Sequence, residues 1–533
     1  MTTHSNPPTQ PSWFDRLREF WRLPTAHYLA LYGIFLVSLW LLGRNNSFVS
    51  GDVFMIDLIA RDGARLDVQS WYFYGQAYFG NLYVLLYAPL YRLFGAGVGS
   101  LQAYEHLLYW LSGVVLLATL PRKTWLSTVV FGLGFFFLNR FYAYSFSHTY
   151  PFILLMLSLA YWLTYRGFGE YYREYQAVLV GVLSGWSFWH NPIYLPVLLV
   201  YGVSLLTTYR SCPRPAPRRY LLRQAVGLGG GLAFGLVPLL LGTWQTGGGN
   251  LEWFGTNQAS GVVESIKYWL RDGLLYFAFG SEYASLTQMK EVLASNPTNF
   301  FMTMGVPLIC VGLVLTAFGS LGRRWRQEGA LLLWIVCVAL LIFRKGVDGT
   351  QAPFTYGRYL FFLQGFGWLA VAKLLVAVQS ASAATWTAVL ARGGSLVAVL
   401  LALTTAGTQY TTAYKGTQIY ESVYAALAPY DIKYLYCENF FNPCLGLVSQ
   451  SDGDMTVQLL EDNAPYQSLS RNPHGFQRAD AALDRGEVVY ALTVKRPEVE
   501  RTGVFEEFTI SGAEYEFYLV ENQGDLPVLG VNQ

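Results

Sequence analysis

Charge is scarce in this chain. Of its 533 residues 13% are charged, against about a quarter in an ordinary soluble domain, while 53% are hydrophobic and mean hydropathy is +0.30. That balance excludes a string of soluble domains and implies a multi-spanning membrane protein. Cysteine is also sparse, with five residues, as is histidine, with six. There is no P-loop, no HExxH, no CxxC pair and no G-x-S-x-G elbow, so no single signature assigns a chemistry. Low-complexity tracts and fixed-period repeats are absent too. The first 24 residues are polar and Pro-rich, with Arg16, Arg18 and Arg22 ahead of the first apolar run, so no cleavable signal peptide is expected. The formal charge of +2 is uninformative as a total, and no nucleic-acid partner is expected.

What is abundant is apolar and aromatic. Aromatics make up 17%, with 38 Tyr and 16 Trp, more than apolar spans need and suited to membrane interfaces, where an apolar ring with a polar tip fits best. Runs of spanning length predict about eleven transmembrane helices: 25–42, 103–120, 124–139, 150–165, 175–190, 192–208, 224–242, 302–321, 329–344, 358–378 and 386–406. Basic residues cluster at the N-terminus and in every second loop thereafter: Arg122/Lys123, Arg166/Arg173, Arg210 to Arg223, and Arg323/Arg324/Arg326. By the positive-inside rule these segments are cytoplasmic. The chain therefore divides into a cytoplasmic segment 1–24, a transmembrane domain 25–408 with a long outer loop 43–102, and an extracytoplasmic domain 409–533. The expected location is the cell membrane, multi-pass, with membrane lipids around it.

From Gln409 apolar runs shorten to strand length. Ile432 to Tyr436, Leu445 to Val448, Met455 to Leu459, Val488 to Leu492 and Tyr515 to Val520 are expected strands, and Tyr414–Ala428 and Phe476–Arg485 expected helices. This describes a small C-terminal α/β domain. Its Cys437 and Cys444 are either a disulfide or two small buried groups.

Outer segments are aromatic and polar, so chemistry is expected there. Asp52, Asp57, Arg61, Asp62 and Asp67 follow the first span in quick succession, and Asp52 beside Gly51 is the favoured general base. Asp52 and Asp57, five apart, do not share a helical face well, which disfavours a metal pair. His190 in the turn Trp189-His190-Asn191-Pro192 can hydrogen-bond a phosphate or sugar, or cap the turn. His148 is weighed the same way. Arg358 enters a late span from outside at head-group depth, where a guanidinium matches a phosphate bidentately.

Gly51-Asp52, then Tyr74-Gly75-Gln76-Ala77-Tyr78-Phe79-Gly80 and Ala88-Pro89-Leu90-Tyr91-Arg92-Leu93-Phe94-Gly95, together with the Trp-His-Asn-Pro turn and Gly357-Arg358-Tyr359-Leu360, resemble GT-C superfamily glycosyltransferases of the dolichyl-phosphate-mannose protein mannosyltransferase-like group. The resemblance implies a GT-C-like membrane fold and inverting transfer of a hexosyl or pentosyl unit from a polyprenyl-phosphate sugar. The acceptor hydroxyl, on a glycan, lipid or protein, would be deprotonated by Asp52, with Asp57, Tyr74, Gln76, Tyr78, His148, His190 and Arg358 as substrate-binding candidates and Tyr72 also lining the sugar pocket. Members often carry two acidic residues together after the first span, whereas Val53 follows Asp52 here; no cofactor is assigned, and a divalent metal stays open. The rival class is a lipid flippase or small-molecule transporter, for which Gly227–Gly235 is the best hint. Small residues there also serve close helix packing.

Overall fold

The computed structural model describes residues 23–44, 51–74, 76–94, 98–120, 122–139, 150–167, 172–190, 198, 201–206, 217–245, 286–320, 331, 334–336, 360–380, 385–411, 418–438, 441–461, 464–469, 481–482, 484–494, 504–509 and 516–522. Helices dominate. The first, α1 (Pro24–Arg44), starts on a proline, whose missing N–H costs nothing in a first turn. The outer loop that follows is built, not loose: α2 (Gly51–Ala64), a hairpin of β1 (Tyr72–Phe73) and β2 (Gln76–Gly80), and α3 (Leu82–Phe94).

Next come α4 (Val98–Ala118), α5 (Trp125–Phe137), α6 (Tyr150–Gly167) and α7 (Glu174–His190). Helix α5 begins at a reciprocal cap between Thr124 and Ser127, which satisfies two otherwise orphaned N–H groups. After them run α8 (Pro217–Gly235), α9 (Val237–Gln245), α10 (Leu286–Ser295), α11 (Pro297–Met304), α12 (Val306–Ser320), α13 (Leu360–Ser380) and α14 (Thr385–Thr411). Among the described residues three stretches are long and apolar enough to cross a membrane, Pro24–Leu41, Arg218–Gln245 and Phe361–Gln379, and Ala103–Ala118, Trp125–Phe137 and Phe300–Leu315 are shorter apolar helices. The expected spans 192–208 and 329–344 lie mostly outside the described residues.

The membrane core centres on α5 and α13, where Phe131, Phe135, Phe361, Phe366 and Trp368 are buried. Glycine lets these helices approach: a Cβ on Gly134 would meet the Trp368 ring at 2.2 Å. Helices α7 and α8 pair through glycine on both sides. A Cβ on Gly181 would lie 2.4 Å from the Leu228 carbonyl oxygen, and one on Gly231 2.1 Å from that of Val178. The glycine run that hinted at a transporter is a packing face.

The C-terminal part opens with α15 (Gln418–Leu427) and then alternates: β3 (Tyr434–Glu438), α16 (Phe441–Gln450), β4 (Thr456–Glu461), β5 (Ala464–Leu469), β6 (Val489–Val494), β7 (Val504–Thr509) and β8 (Glu516–Asn522). They form a six-stranded sheet in the order β5-β4-β3-β6-β8-β7. Strand β3 is parallel to both neighbours, whereas β5 and β8 run antiparallel to theirs.

One expected strand is wrong: Leu445 to Val448 belongs to helix α16. A four-residue apolar run does not distinguish the two periods, and here Cys444, Leu447 and Val448 recur at helical spacing and are buried together. Strands β5 and β7, with the polar sequences APYQSL and VFEEFT, carry too weak an apolar alternation to be predicted. The two tail cysteines are joined: Cys437 at the end of β3 bonds Cys444 on α16, seven residues on.

Candidate functional site

Helix α2 carries Gly51-Asp52 in its first turn. A helix N-terminus favours negative charge, so this placement suits an ionised carboxylate. The Asp52 side chain lies outside the described residues, as do the side chains of Gln76 and Tyr78; His148 and Arg358 lie outside them entirely.

The rest of α2 is enclosed almost all round. Phe54, Met55, Ile56, Leu58, Ile59 and Ala60 are buried in one cluster with α3, α4 and α6 on one side and the C-terminal domain on the other, where Leu447, Val448, Leu435 and Val457 contribute. A helix buried on every face is held by tertiary packing, not by its modest amphipathicity.

Where α2 meets α16 the contact turns polar. Arg61 donates to Asp57 Oδ2 at 2.6 Å, one helical turn back, and Ser449 Oγ donates to that same oxygen at 3.1 Å. Arg61 Nε donates to the Tyr91 hydroxyl at 3.0 Å, and Nη1 donates to the Ser449 carbonyl at 3.5 Å and lies 3.6 Å from Asp452 Oδ1. Arg65 reaches Asp452 Oδ2 at 3.1 Å. Burial alone would lower the Arg61 pKa, but the Asp57 carboxylate and Tyr91 outweigh it and raise it above the ordinary value. Burial first, and the Asp57 charge second, push Tyr91 up to about 12, so its hydroxyl stays neutral.

Asp452 occupies a left-handed backbone conformation, φ 54°, just past α16. Gly453 N–H donates to Val448 and Asp452 N–H to Ser449, the two bonds of a Schellman ending that usually carries glycine at the Asp452 position. Aspartate tolerates that conformation better than most residues. Its carboxylate then faces Arg61 of α2 and Arg65 just past the end of that helix.

The hairpin seats on the ends of α7 and α9. His190 Nδ1 lies 2.7 Å from the Gly80 carbonyl oxygen; since a carbonyl only accepts, Nδ1 carries the proton. The His190 ring is fully buried, edge-on to Tyr83 and Phe152. Tyr72 donates to the Leu239 carbonyl at 3.3 Å, and Gln245 bridges to Gln69 and Trp71. Tyr74, also buried, donates to Asp62 Oδ2 at 2.7 Å.

The structure thus brings Asp57 and Arg61 together with Ser449 and Asp452, and gives Tyr74 and His190 bonded partners within the loop and hairpin. Tyr91, Ser449 and Asp452 were not singled out by sequence. Only the Asp57–Arg61 spacing of four was legible, because Tyr91 lies 30 residues from Arg61, and Ser449 lies 388 residues from Arg61 and 392 from Asp57. Among the described residues no group of three or more His, Cys, Asp or Glu side chains could hold a metal ion.

No protein-family model and no curated protein matches the chain. Solved structures do. ArnT from Cupriavidus metallidurans bound to undecaprenyl phosphate is 14% identical, with 95% of this chain and 99% of that chain covered at a TM-score of 0.55. The same enzyme in the apo state gives 12%, 92%, 97% and 0.54. The oligosaccharyltransferase of Archaeoglobus fulgidus in the apo form is 13% identical, covering 91% of this chain and 70% of that one at a TM-score of 0.51. The GT-C-like fold implied by the sequence resemblance is the fold this chain adopts.

Proposed function

We propose that the protein is a membrane glycosyltransferase that moves a sugar from a polyprenyl phosphate to an acceptor hydroxyl on the outer face. The observation that carries this reading is a fold shared over nearly the full length of both chains with a structure holding undecaprenyl phosphate. The placement of Gly51-Asp52 at the start of a helix directly after the first span supports it.

In this reading Asp52 takes the proton of the acceptor hydroxyl as its oxygen attacks the anomeric carbon. The bond from that carbon to the phosphate oxygen breaks, its electron pair leaves with the polyprenyl phosphate, and configuration inverts. A positioned base contributes about 10²–10⁴-fold. Arg358 is proposed to stabilise the charge that grows on the leaving phosphate, where a preformed cation acts most strongly. Gln76, Tyr78 and His148 stay proposed contacts to substrate, whereas Asp57, buried and bonded to Arg61 and Ser449, acts in this scheme through α2 and not on substrate. His190 and Tyr74, given their bonds to Gly80 and Asp62, act in this scheme by shaping the wall behind the site.

The test is release of undecaprenyl phosphate from radiolabelled undecaprenyl-phosphate hexoses and pentoses, with native membranes as acceptor source, by wild type and Asp52→Asn. Loss of at least about 100-fold in kcat is expected. Equal rates for the two would end the base assignment.

A further inference from the structure

The polar cluster between α2 and α16 has a feature that neither packing nor the transfer scheme requires. Within α2, Arg61 and Asp57 already pair with each other, through the contact to Asp57 Oδ2 at 2.6 Å. Yet the C-terminal domain adds three further contacts to that pair: the Ser449 hydroxyl on Asp57, the Ser449 carbonyl on Arg61, and the Asp452 carboxylate near Arg61. Two of these converge from one short stretch at the end of α16, and the third depends on an aspartate in a conformation that glycine fills more easily. The disulfide from Cys437 to Cys444 ties the other end of that helix to the sheet. Helix α16 is therefore fixed at one end covalently and grips α2 at the other.

Asp52 and Asp57 share α2, about 7.5 Å apart along its axis at 1.5 Å per residue. Residues 54–60 of this helix are all buried, so a displacement at Asp57 moves along the same hydrogen-bonded helix toward Asp52. We infer that the C-terminal domain positions the base-bearing helix, with Ser449 and Asp452 as positioning residues acting on Asp52 through Asp57 and Arg61. The inference rests on the transferase reading above. A misplacement of about 1 Å by a residue remote from the chemistry costs on the order of 100-fold in rate, so modest hydrogen bonds suffice for a large catalytic effect.

The discriminating variants lie on the C-terminal side alone and leave every residue of α2 unchanged. Asp452→Gly keeps the left-handed turn and removes the carboxylate. Ser449→Ala keeps a good helix former and removes the hydroxyl. The full-length protein in lipid nanodiscs is assayed with the same radiolabelled undecaprenyl-phosphate sugars, and hydrogen exchange over Gly51–Ala64 is followed in parallel. Glu174→Gln, which breaks an exposed pair with Arg223, is the control.

In the double variant kcat should fall by about tenfold to 100-fold with donor KM unchanged, and exchange over α2 should speed while α13 stays protected. If wild type transfers sugar and the double variant retains its kcat, the positioning role is overturned while the transferase reading stands. If kcat falls only in proportion to lost folded protein, with thermal stability lowered, the contacts are merely structural and the inference is overturned as well. If wild type transfers no donor at all, the transferase reading itself fails and the inference goes with it.

Discussion

Leu66 occupies a left-handed conformation, φ 62°, at the end of α2, where it closes a Schellman ending with Asp67 bonded to Asp62 and Leu66 to Gly63. Its side chain is 84% exposed, so nothing compensates the clash between Cβ and backbone. That clash costs about 1–2 kcal/mol, partly offset because glycine loses about 0.5–1 kcal/mol more in entropy on folding. Leu66→Gly should therefore stabilise the protein by up to about 1 kcal/mol, measured by chemical unfolding in detergent; destabilisation would mean Leu66 makes a contact in the membrane interface. Asp452 has the same backbone problem but a different use, since its carboxylate faces Arg61 and Arg65. At this scale sequence was informative about residue types and poor about partners. It marked the acidic run from Asp52 to Asp67 as a place for chemistry, and could not tell that Asp57 faces a serine near position 449.

Among elements, the α7–α8 pair shows how tightly the membrane domain is set. Gly181 and Gly185 on one helix meet Gly231 and Gly235 on the other, each leaving no room for a Cβ. Gly231→Ala should cost about 1–3 kcal/mol through overpacking against the Val178 carbonyl. Gly230→Ala, with nothing within 4 Å, should be neutral or stabilising by up to about 1 kcal/mol. Stability of both variants against detergent denaturation checks this, and equal costs would show that glycine serves a motion and not a fit. Spans were the most legible elements, because hydropathy over about 20 residues integrates a strong signal. Helix α13 was expected at 358–378 and runs Leu360–Ser380; α14 was expected at 386–406 and runs Thr385–Thr411. Short elements were legible only in part: β3, β4, β6 and β8 fall where strands were expected, whereas β5 and β7 were not predicted. Strand and helix periods overlap over four residues, which is how α16 was taken for a strand.

For the molecule as a whole, the tail is not an appendage resting on the membrane domain. Its α16 and β3 share one hydrophobic cluster with the outer-loop helices α2 and α3. Disulfides such as the one within it persist in oxidising compartments, and the basic loops lead to the expectation that the tail faces outward. Closing a loop of about eight residues contributes about 2.5 kcal/mol on the chain-entropy estimate. Reduction, or Cys437→Ala with Cys444→Ala, should lower stability by about that amount and loosen α16, seen as faster hydrogen exchange in Phe441–Gln450. A membrane-impermeant protease should reach a tag placed after Gln533 in intact cells, and protection of that tag would place the tail on the cytoplasmic side.

Composition alone determined that this chain lives in a membrane, since 53% hydrophobic residues with 13% charged leave too little polar surface to clothe soluble domains. The order of apolar runs and the alternating tail followed from local pattern, because each depends on neighbours a few residues away. Tertiary structure alone decided what surrounds α2: the hydroxyl of Ser449, the carboxylate of Asp452 and the apolar face of α16 arrive from nearly 400 residues downstream, as the separations of 388 and 392 record. No periodicity encodes a contact of that range. It exists because a helix with buried residues on every side must be covered by whatever part of the chain folds onto it.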